Sequence, residues 1–476
     1  MKFVQRLIFI LFFGFILLSC KKDNNKNEDP KTTLPNYSNI DLDHIFKQKD
    51  NQLDNQDSIV ATIDQYYKNI WEKGDLWGGF LVAKGDKILY ENYRGFAQDN
   101  NQVPINDTVA LHVASVSKTL TAMATMKLIE SGKIKLEDPL TKYFPKFPYP
   151  KVTVFTLLSQ RSGLPKYEYL IEKIKPEPAE YHKKYLNNQD ILNLLIRYKP
   201  ELARETNTGF MYCNTNYALL SLLIEKVTKT TFPEAMKQIV FRPLKMKNTY
   251  VFEEKDTLTA AKSFFQRGPK LYPYDRLDLI YGDKNVYTTP RDLLNFSKAM
   301  FAKNFLRSDV QEKIFEPYSN EKPGVNNYGI GFRMKIFDNG EKLTYHNGWW
   351  HGTNSVFAHL LKSNVTIIAI GNKYSGRVYT ALALSGLFEN FPYETAKLQK
   401  DMNENDSLLN SPIKTGAKES SDRKVVAVLC EPMCRTSFFF VIAADMIMLL
   451  RFYQHCAARH HEPIATTRCQ TMPNFV

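Results

Sequence analysis

The sequence predicts an α/β fold of the α+β kind. An antiparallel sheet is built from the N- and C-terminal segments of one long domain and flanked by helices, and an all-helical subdomain is inserted between those segments. Three observations predict it. Strand-type patterns occupy residues 79–93 and return at 328–370, with a mostly helical stretch between them. The chain of 476 residues is 43% apolar and 13% aromatic, enough for a large core. Before residue 430 only Cys20 and Cys213 occur, so no disulfide framework replaces that core.

The chain opens on a positive segment, Met1-Lys-Phe-Val-Gln-Arg6, and a short apolar run over 7–18. That run is too short for a permanent bilayer span, so residues 1–19 read as an export signal. Its ending, Leu17-Leu-Ser-Cys20, resembles a bacterial lipoprotein box, which implies cleavage before Cys20 and lipid on its thiol. Residues 20–56 then form the lipidated start and a polar tether, placing the protein on the cell envelope. The formal charge is +13, but acidic and basic residues are interspersed. No basic block with interleaved aromatics marks a nucleic-acid partner; a basic surface beside an anionic envelope is the reading, with a monomer favoured.

Within the main domain, assigned to residues 57–395, apolar positions over 58–71 follow a helical period. Residues 79–84 and 87–93 read as strands flanking Gly85-Asp86, a two-residue hairpin signal. Helices are expected at 122–130, 154–158, 188–197, 217–229 and 290–302, with turns at Ser162-Gly-Leu-Pro165 and Gly282-Asp283. Strands are expected at 328–336, 342–345, 354–361 and 365–370, and a last helix at 376–391. The cleft between sheet and helical insert is where a site belongs.

Residues 396–476 read as a polar linker and an atypical tail. After Lys424 lysine gives way to arginine, cysteine and histidine. The apolar run 437–450 carries Asp445 at its middle and is not read as a span. Cys430, Cys434 and Cys456 with His455, His460 and His461 lack regular ligand spacing, so no metal is assigned there. The tail reads as a foreign or frame-shifted extension with no role in the activity.

Chemistry concentrates in Leu111-His-Val-Ala-Ser-Val-Ser-Lys118, which opens an apolar helical run. Residues three apart share a helix face, so the Ser115 hydroxyl and the Lys118 amine meet in its first turn, while Ser117 points elsewhere. A hydroxyl becomes a useful nucleophile when a neighbouring base takes its proton, and a desolvated lysine near a helix N-terminus can do so. Ser-x-x-Lys also begins at Ser19, Ser319, Ser411 and Ser421, none of which opens such a helix. Two further elements accompany it: Tyr212-Cys-Asn214, immediately before another apolar helix, and His346-Asn-Gly348-Trp-Trp350 at the end of a strand. Glycine at 348 lets backbone approach a substrate closely.

Ser115-x-x-Lys118, Tyr212-x-Asn214 and His346-x-Gly348, in this order, resemble the serine β-lactamase and penicillin-binding-protein superfamily, most closely its class C β-lactamase, D,D-carboxypeptidase and esterase branch. The resemblance covers residues 58–395 and includes Leu157-Leu-Ser-Gln-Arg-Ser-Gly-Leu-Pro165, Pro243-Leu-Lys-Met-Lys-Asn-Thr249, Thr289-Pro-Arg-Asp-Leu293 and Tyr328-Gly-Ile-Gly331. It implies that Ser115 forms an acyl-enzyme and that Lys118 and Tyr212 share general-base duty. Asn214 would hold Lys118 and the substrate amide, and His346 would act beside Tyr212. The backbone N–H groups of Ser115 and Trp349 would form the oxyanion hole, and Asn347, Gly348 and Trp350 would line the substrate. No metal or organic cofactor is implied.

The departure is His346-Asn-Gly348 where many relatives carry Lys-Thr-Gly, which removes a fixed cation. Lys414-Thr-Gly416 lies in the polar stretch and is read as coincidence. The leading expectation is therefore a hydrolase of esters, small amides or peptides. A D,D-carboxypeptidase or β-lactamase, and a catalytically silent binding or sensor protein on the same fold, are the alternatives. His112 and His351 read as packing or rim residues.

Overall fold

The computed structural model describes residue 35 and residues 52–409, except 100–102, 176–177, 269 and 302–304. The export signal, Cys20, most of the tether and the tail with its cysteines and histidines lie outside the described residues. Among the described residues no helix is long and apolar enough to cross a membrane.

Helix α1 (Gln56–Tyr67) runs into one π turn, Lys68–Glu72, and buries Ile63, Tyr66, Tyr67 and Trp71. Strands β1 (Gly78–Lys84) and β2 (Lys87–Arg94) form the expected hairpin. The helical insert carries three short strands, β3 (Leu111–His112), β4 (Tyr250–Val251) and β5 (Val286–Thr288), which the sequence did not announce. They form a separate sheet in the order β3-β5-β4. The C-terminal strands are β6 (Asn326–Tyr328), β7 (Arg333–Ile336), β8 (Lys342–Trp350), β9 (Thr353–Leu360) and β10 (Val365–Gly371).

The main sheet has the order β2-β1-β10-β9-β8-β7-β6 and is antiparallel throughout. β1 closes onto β10 with Gly79 opposite Ile370 and Lys84 opposite Val365, joining the two ends of the domain. Period-two alternation divides the side chains between two cores. Phe80, Val82, Val356, Ala358, Ile367 and Ala369 pack with Ile63, Tyr66 and Trp71 on one face. Leu81, Ala83, Phe357, Ile368 and Ile370 pack on the other face with the helical insert. Both faces are covered, which is why these strands read as continuous apolar runs rather than as alternation.

The insert is organised around α2 (Ser117–Glu130), α3 (Val154–Leu158), α4 (Asn188–Tyr198), α5 (Asn214–Thr228) and α6 (Pro290–Phe301). α2 is buried from Ser117 to Leu128 on every side rather than on one face. Its polar positions find internal partners: Thr119 donates to Val116 O (2.8 Å), Thr121 to Gly282 O (2.7 Å) and Thr125 to Thr121 O (2.9 Å).

Three boundaries differ from expectation. The strand expected over 328–336 is two strands, because Gly331 at φ +79° turns the chain between them. The strand expected over 342–345 continues to Trp350. The last helix over 376–391 is a 3₁₀ run, Gly376–Leu387, followed by helix α7 (Pro392–Leu409), which extends past the expected limit of the domain.

Three buried histidines couple this fold to pH. Burial holds His112 down to about 4, and holds His346 and His359 well below their ordinary range. Each is neutral when folded and takes a proton near pH 6.5 when unfolded. The unfolded chain therefore binds more protons below about pH 6.5, and stability present above that value is lost on acidification. For His112 alone the loss at about pH 5 is about 2 kcal/mol. Urea unfolding should show a fall of at least that size between about pH 7.5 and pH 5, shallower in His112→Gln; equal stability at the two pH values would contradict this reading.

Candidate active site

β3 leads directly to Ser115. Val113 N–H donates to Val286 O (3.1 Å), Ala114 then adopts φ +46°, and a 3₁₀ turn, Ala114–Val116, carries Ser115 to the start of α2. A left-handed alanine costs about 1–2 kcal/mol. Neighbouring bonds hold it: Ser355 Oγ donates to Val113 O (2.7 Å), and Val286 N–H donates to Ser117 Oγ (3.0 Å). The second bond explains why Ser117 points away from the cleft and is buried, while Ser115 stays partly exposed.

Lys118 is 0% exposed. Its Nζ donates to Ser115 Oγ (3.1 Å) and to the Asp283 carbonyl (2.8 Å). It also stands 5.0 Å from the centre of the Tyr212 ring and 5.7 Å from that of Tyr217. The Tyr212 contact is thus with the ring; its hydroxyl makes no hydrogen bond to Ser115 or Lys118 in this structure. Proton transfer from Oγ requires a neutral Nζ or a Tyr212 phenolate brought within reach.

Asn214 does not hold Lys118. Its Nδ2 donates to Glu168 Oε1 (2.6 Å) and its Oδ1 has no hydrogen-bond partner. The Asp283 carbonyl occupies the place expected for Asn214. Asp283 is itself fixed by Tyr167, whose hydroxyl donates to Oδ2 (2.7 Å), and by buried Lys284, whose Nζ lies 3.5 Å from that oxygen. The Tyr212–Asn214 segment is held by the segment 157–165. Gln160 Oε1 accepts from Cys213 N–H (3.0 Å) and Asn216 Nδ2 (2.6 Å), and Thr215 Oγ1 donates to Pro165 O (2.7 Å).

β8 supplies the opposite wall. Tyr345 packs into the core on the α1 side, and His346, next along the strand, is fully buried. His346 Nδ1 lies 2.7 Å from Asn347 O, an acceptor only, so Nδ1 carries the proton. Nε2 is then an acceptor, facing the Tyr328 hydroxyl at 3.4 Å. Tyr212 stands off, its ring centre 6.2 Å from that of His346. His346 therefore accepts from Tyr328 rather than donating to Tyr212. Burial, then the charges of Arg333 and Lys118, hold its pKa well below the usual range.

Trp349 is 63% exposed, whereas the Trp350 indole donates to Asp278 Oδ1 (2.6 Å) under the Lys284 ammonium. Asn347 Oδ1 is buried without a partner. His351 contacts Asp278 (2.9 Å), and His112 stacks on Tyr287 with its Nε2 against the Lys284 carbonyl.

Arg333 lies at this site, and motif spacing did not reveal it. Its guanidinium lies 4.7 Å from the Tyr212 ring centre, so the cation that the His346 position of β8 lacks is supplied from β7. The available signal was a charged residue directly after Tyr328-Gly-Ile-Gly331-Phe332. That motif is also explained: a methyl group at Gly331 would meet Ala122 Cβ at 2.5 Å and Lys118 O at 3.2 Å.

Gly348 sets how closely β8 approaches the nucleophile. A methyl group there would lie 2.3 Å from Val113 O and from Ser355 Oγ, and 3.1 Å from the Ser115 backbone nitrogen. Gly348→Ala must push β8 off the Ser115 turn and should slow labelling by a fluorophosphonate by about a hundredfold in folded protein. Labelling of folded Gly348→Ala at the wild-type rate would show that this approach does not matter.

A profile of the beta-lactamase family matches residues 63–384. Penicillin-binding protein 4* of Bacillus subtilis (strain 168) is 27% identical over 332 residues, covering 66% of this chain and 72% of the relative. The D-amino acid amidase of Ochrobactrum anthropi SV3, solved with L-phenylalanine amide, matches with a TM-score of 0.56 at 20% identity, over 73% of this chain and 99% of that one. EstCE1, a hydrolase with promiscuous acyltransferase activity, matches with a TM-score of 0.57 at 18% identity, over 70% of this chain and 99% of that one. The protein belongs to the beta-lactamase family, within the superfamily of serine β-lactamases and penicillin-binding proteins.

Proposed function

We propose that the protein is a cell-envelope serine hydrolase that acts through an acyl-enzyme on Ser115, on esters and small amides or peptides. The observation that carries this reading is the buried Lys118 amine 3.1 Å from a partly exposed Ser115 hydroxyl. Ser115 Oγ attacks the carbonyl carbon, and its proton passes to Lys118 in its free-amine form, or to a Tyr212 phenolate brought within reach while Lys118 stays charged beside it. The backbone N–H groups of Ser115 and Trp349 donate to the developing oxyanion, at about 3 kcal/mol per donor. The proton returns to the leaving oxygen or nitrogen, and water attacks the acyl carbon to free the acid and Ser115. The fold is shared with an amidase and with a hydrolase of acyltransferase ability, which supports ester and amide chemistry on this scaffold.

A second reading, a D,D-carboxypeptidase or β-lactamase, is favoured by Arg333, because a guanidinium at the Tyr212 wall can pair with a substrate carboxylate. It draws further support from the name of the Bacillus subtilis relative. Anchoring through lipid on Cys20 is part of the proposal and rests on the Leu-Leu-Ser-Cys20 sequence.

Ser115→Ala should abolish turnover of p-nitrophenyl acetate in folded protein, and turnover that persists would remove Ser115 from the mechanism. The neutral ester should be turned over faster than benzylpenicillin or a D-Ala-D-Ala peptide. The reverse order would select the second reading, and Arg333→Gln should then cost the anionic substrate about tenfold more than the neutral one. The native protein should partition into detergent and Cys20→Ser into the aqueous phase, since lipoprotein cysteines carry more than one acyl chain. Aqueous partition of the native protein would end the anchoring proposal.

A further inference from the structure

Two acceptor atoms beside Tyr212 lack donors. Glu168 stands on the short helix Tyr167–Leu170, and Asn214 opens α5 two residues after Tyr212. Asn214 Nδ2 donates to Glu168 Oε1 at 2.6 Å, which locks the two side chains together. That bond leaves Glu168 Oε2 and Asn214 Oδ1 shielded from water, each with no hydrogen-bond partner. Among the described residues no cation is in ion-pair contact with Glu168. A shielded carboxylate oxygen and an amide oxygen without donors are costly to keep, and a donor arriving with a ligand would satisfy both.

We propose that Glu168 and Asn214 receive a protonated primary amine of the substrate, borne on the carbon next to the scissile carbonyl. This rests on the acyl-enzyme reading above and names its substrate class: esters and amides of amino acids with a free amino group. The chemistry is selective. An ammonium carries three hydrogens, enough for Glu168 Oε2 and Asn214 Oδ1 with one to spare, whereas a neutral acyl group offers neither donor nor charge. The positive charges of Lys118 and Arg333 at the Tyr212 ring would by themselves repel such a substrate. The Glu168 carboxylate, bonded to Asn214 two residues from Tyr212, supplies the opposing charge. Asn214, held by Glu168, thereby keeps the substrate-binding role that the resemblance implied, directed at the amine, and gives up the hold on Lys118.

The experiment compares p-nitrophenyl esters of D- and L-alanine with those of D- and L-lactate, in which a hydroxyl replaces the ammonium, at about pH 6.5, where the amine is charged. In the wild type, kcat/KM for one alanine ester should exceed that of the matching lactate ester by at least about tenfold. The ratio should fall to near one in Glu168→Gln, which keeps a hydrogen-bonding side chain of the same size without the charge. Lactate and alanine esters turned over equally by the wild type would overturn this inference and leave the hydrolase reading standing, whatever the variant does. A ratio unchanged in folded Glu168→Gln would also overturn it. Failure to turn over any of the four esters would overturn the hydrolase reading and this inference with it.

Discussion

Everything at this site depends on one buried cation. The Lys118 ammonium is shielded from water, and its partners are the Ser115 hydroxyl, the Asp283 carbonyl and two tyrosine rings. Taking such a charge out of water costs on the order of several kcal/mol unless other groups replace its hydration. The partners here are oriented dipoles and ring faces rather than a carboxylate. A carboxylate would have neutralised the charge and removed the reason for placing it beside a hydroxyl. The arrangement gives up stability to keep an amine poised next to Ser115.

Keeping it there takes structure from the whole domain. Asp283 presents its carbonyl because Tyr167 and Lys284 immobilise its side chain. Ser115 is in place because β3 pairs with β5 and because Val113 O is tied to Ser355 on β9. β9 belongs to a sheet that is completed when the N-terminal hairpin closes onto β10. A chemical group on the helical insert is thus held against a strand from the far end of the chain. The segments that resemble those of this family without carrying reacting groups are explained in the same terms. The stretch 157–165 clamps the Tyr212 loop through Gln160. The pair Asn248 and Thr249 is pinned by Asp292, whose Oδ2 accepts from Asn248 N–H and Thr249 Oγ1, both at 2.8 Å.

Features set by local spacing were legible in the sequence. Ser115 and Lys118 are three apart, and helix geometry alone brings them together; the β1–β2 hairpin and the buried strands β9 and β10 likewise follow from local pattern. Features set by long-range register were not. Arg333 reaches the Tyr212 ring from a strand more than a hundred residues away, and no spacing rule connects them. Glu168 meets Asn214 across forty-six positions for the same reason. The Asp283 carbonyl that replaced Asn214 as the partner of Lys118 is a backbone atom, which carries no sequence signature at all. His346 was found in sequence, but its protonation and its partner Tyr328 depend on burial that sequence does not display.

Whether Ser115 carries the acyl group can be measured directly, by acid quench during turnover of a slowly released acyl ester, followed by digestion and mass spectrometry. The mechanism predicts one acyl group on the peptide containing Ser115, fragmenting to that residue, which disappears as substrate is exhausted. An adduct on Ser117, on Tyr212 or on any residue outside the Ser115–Lys118 turn would contradict it.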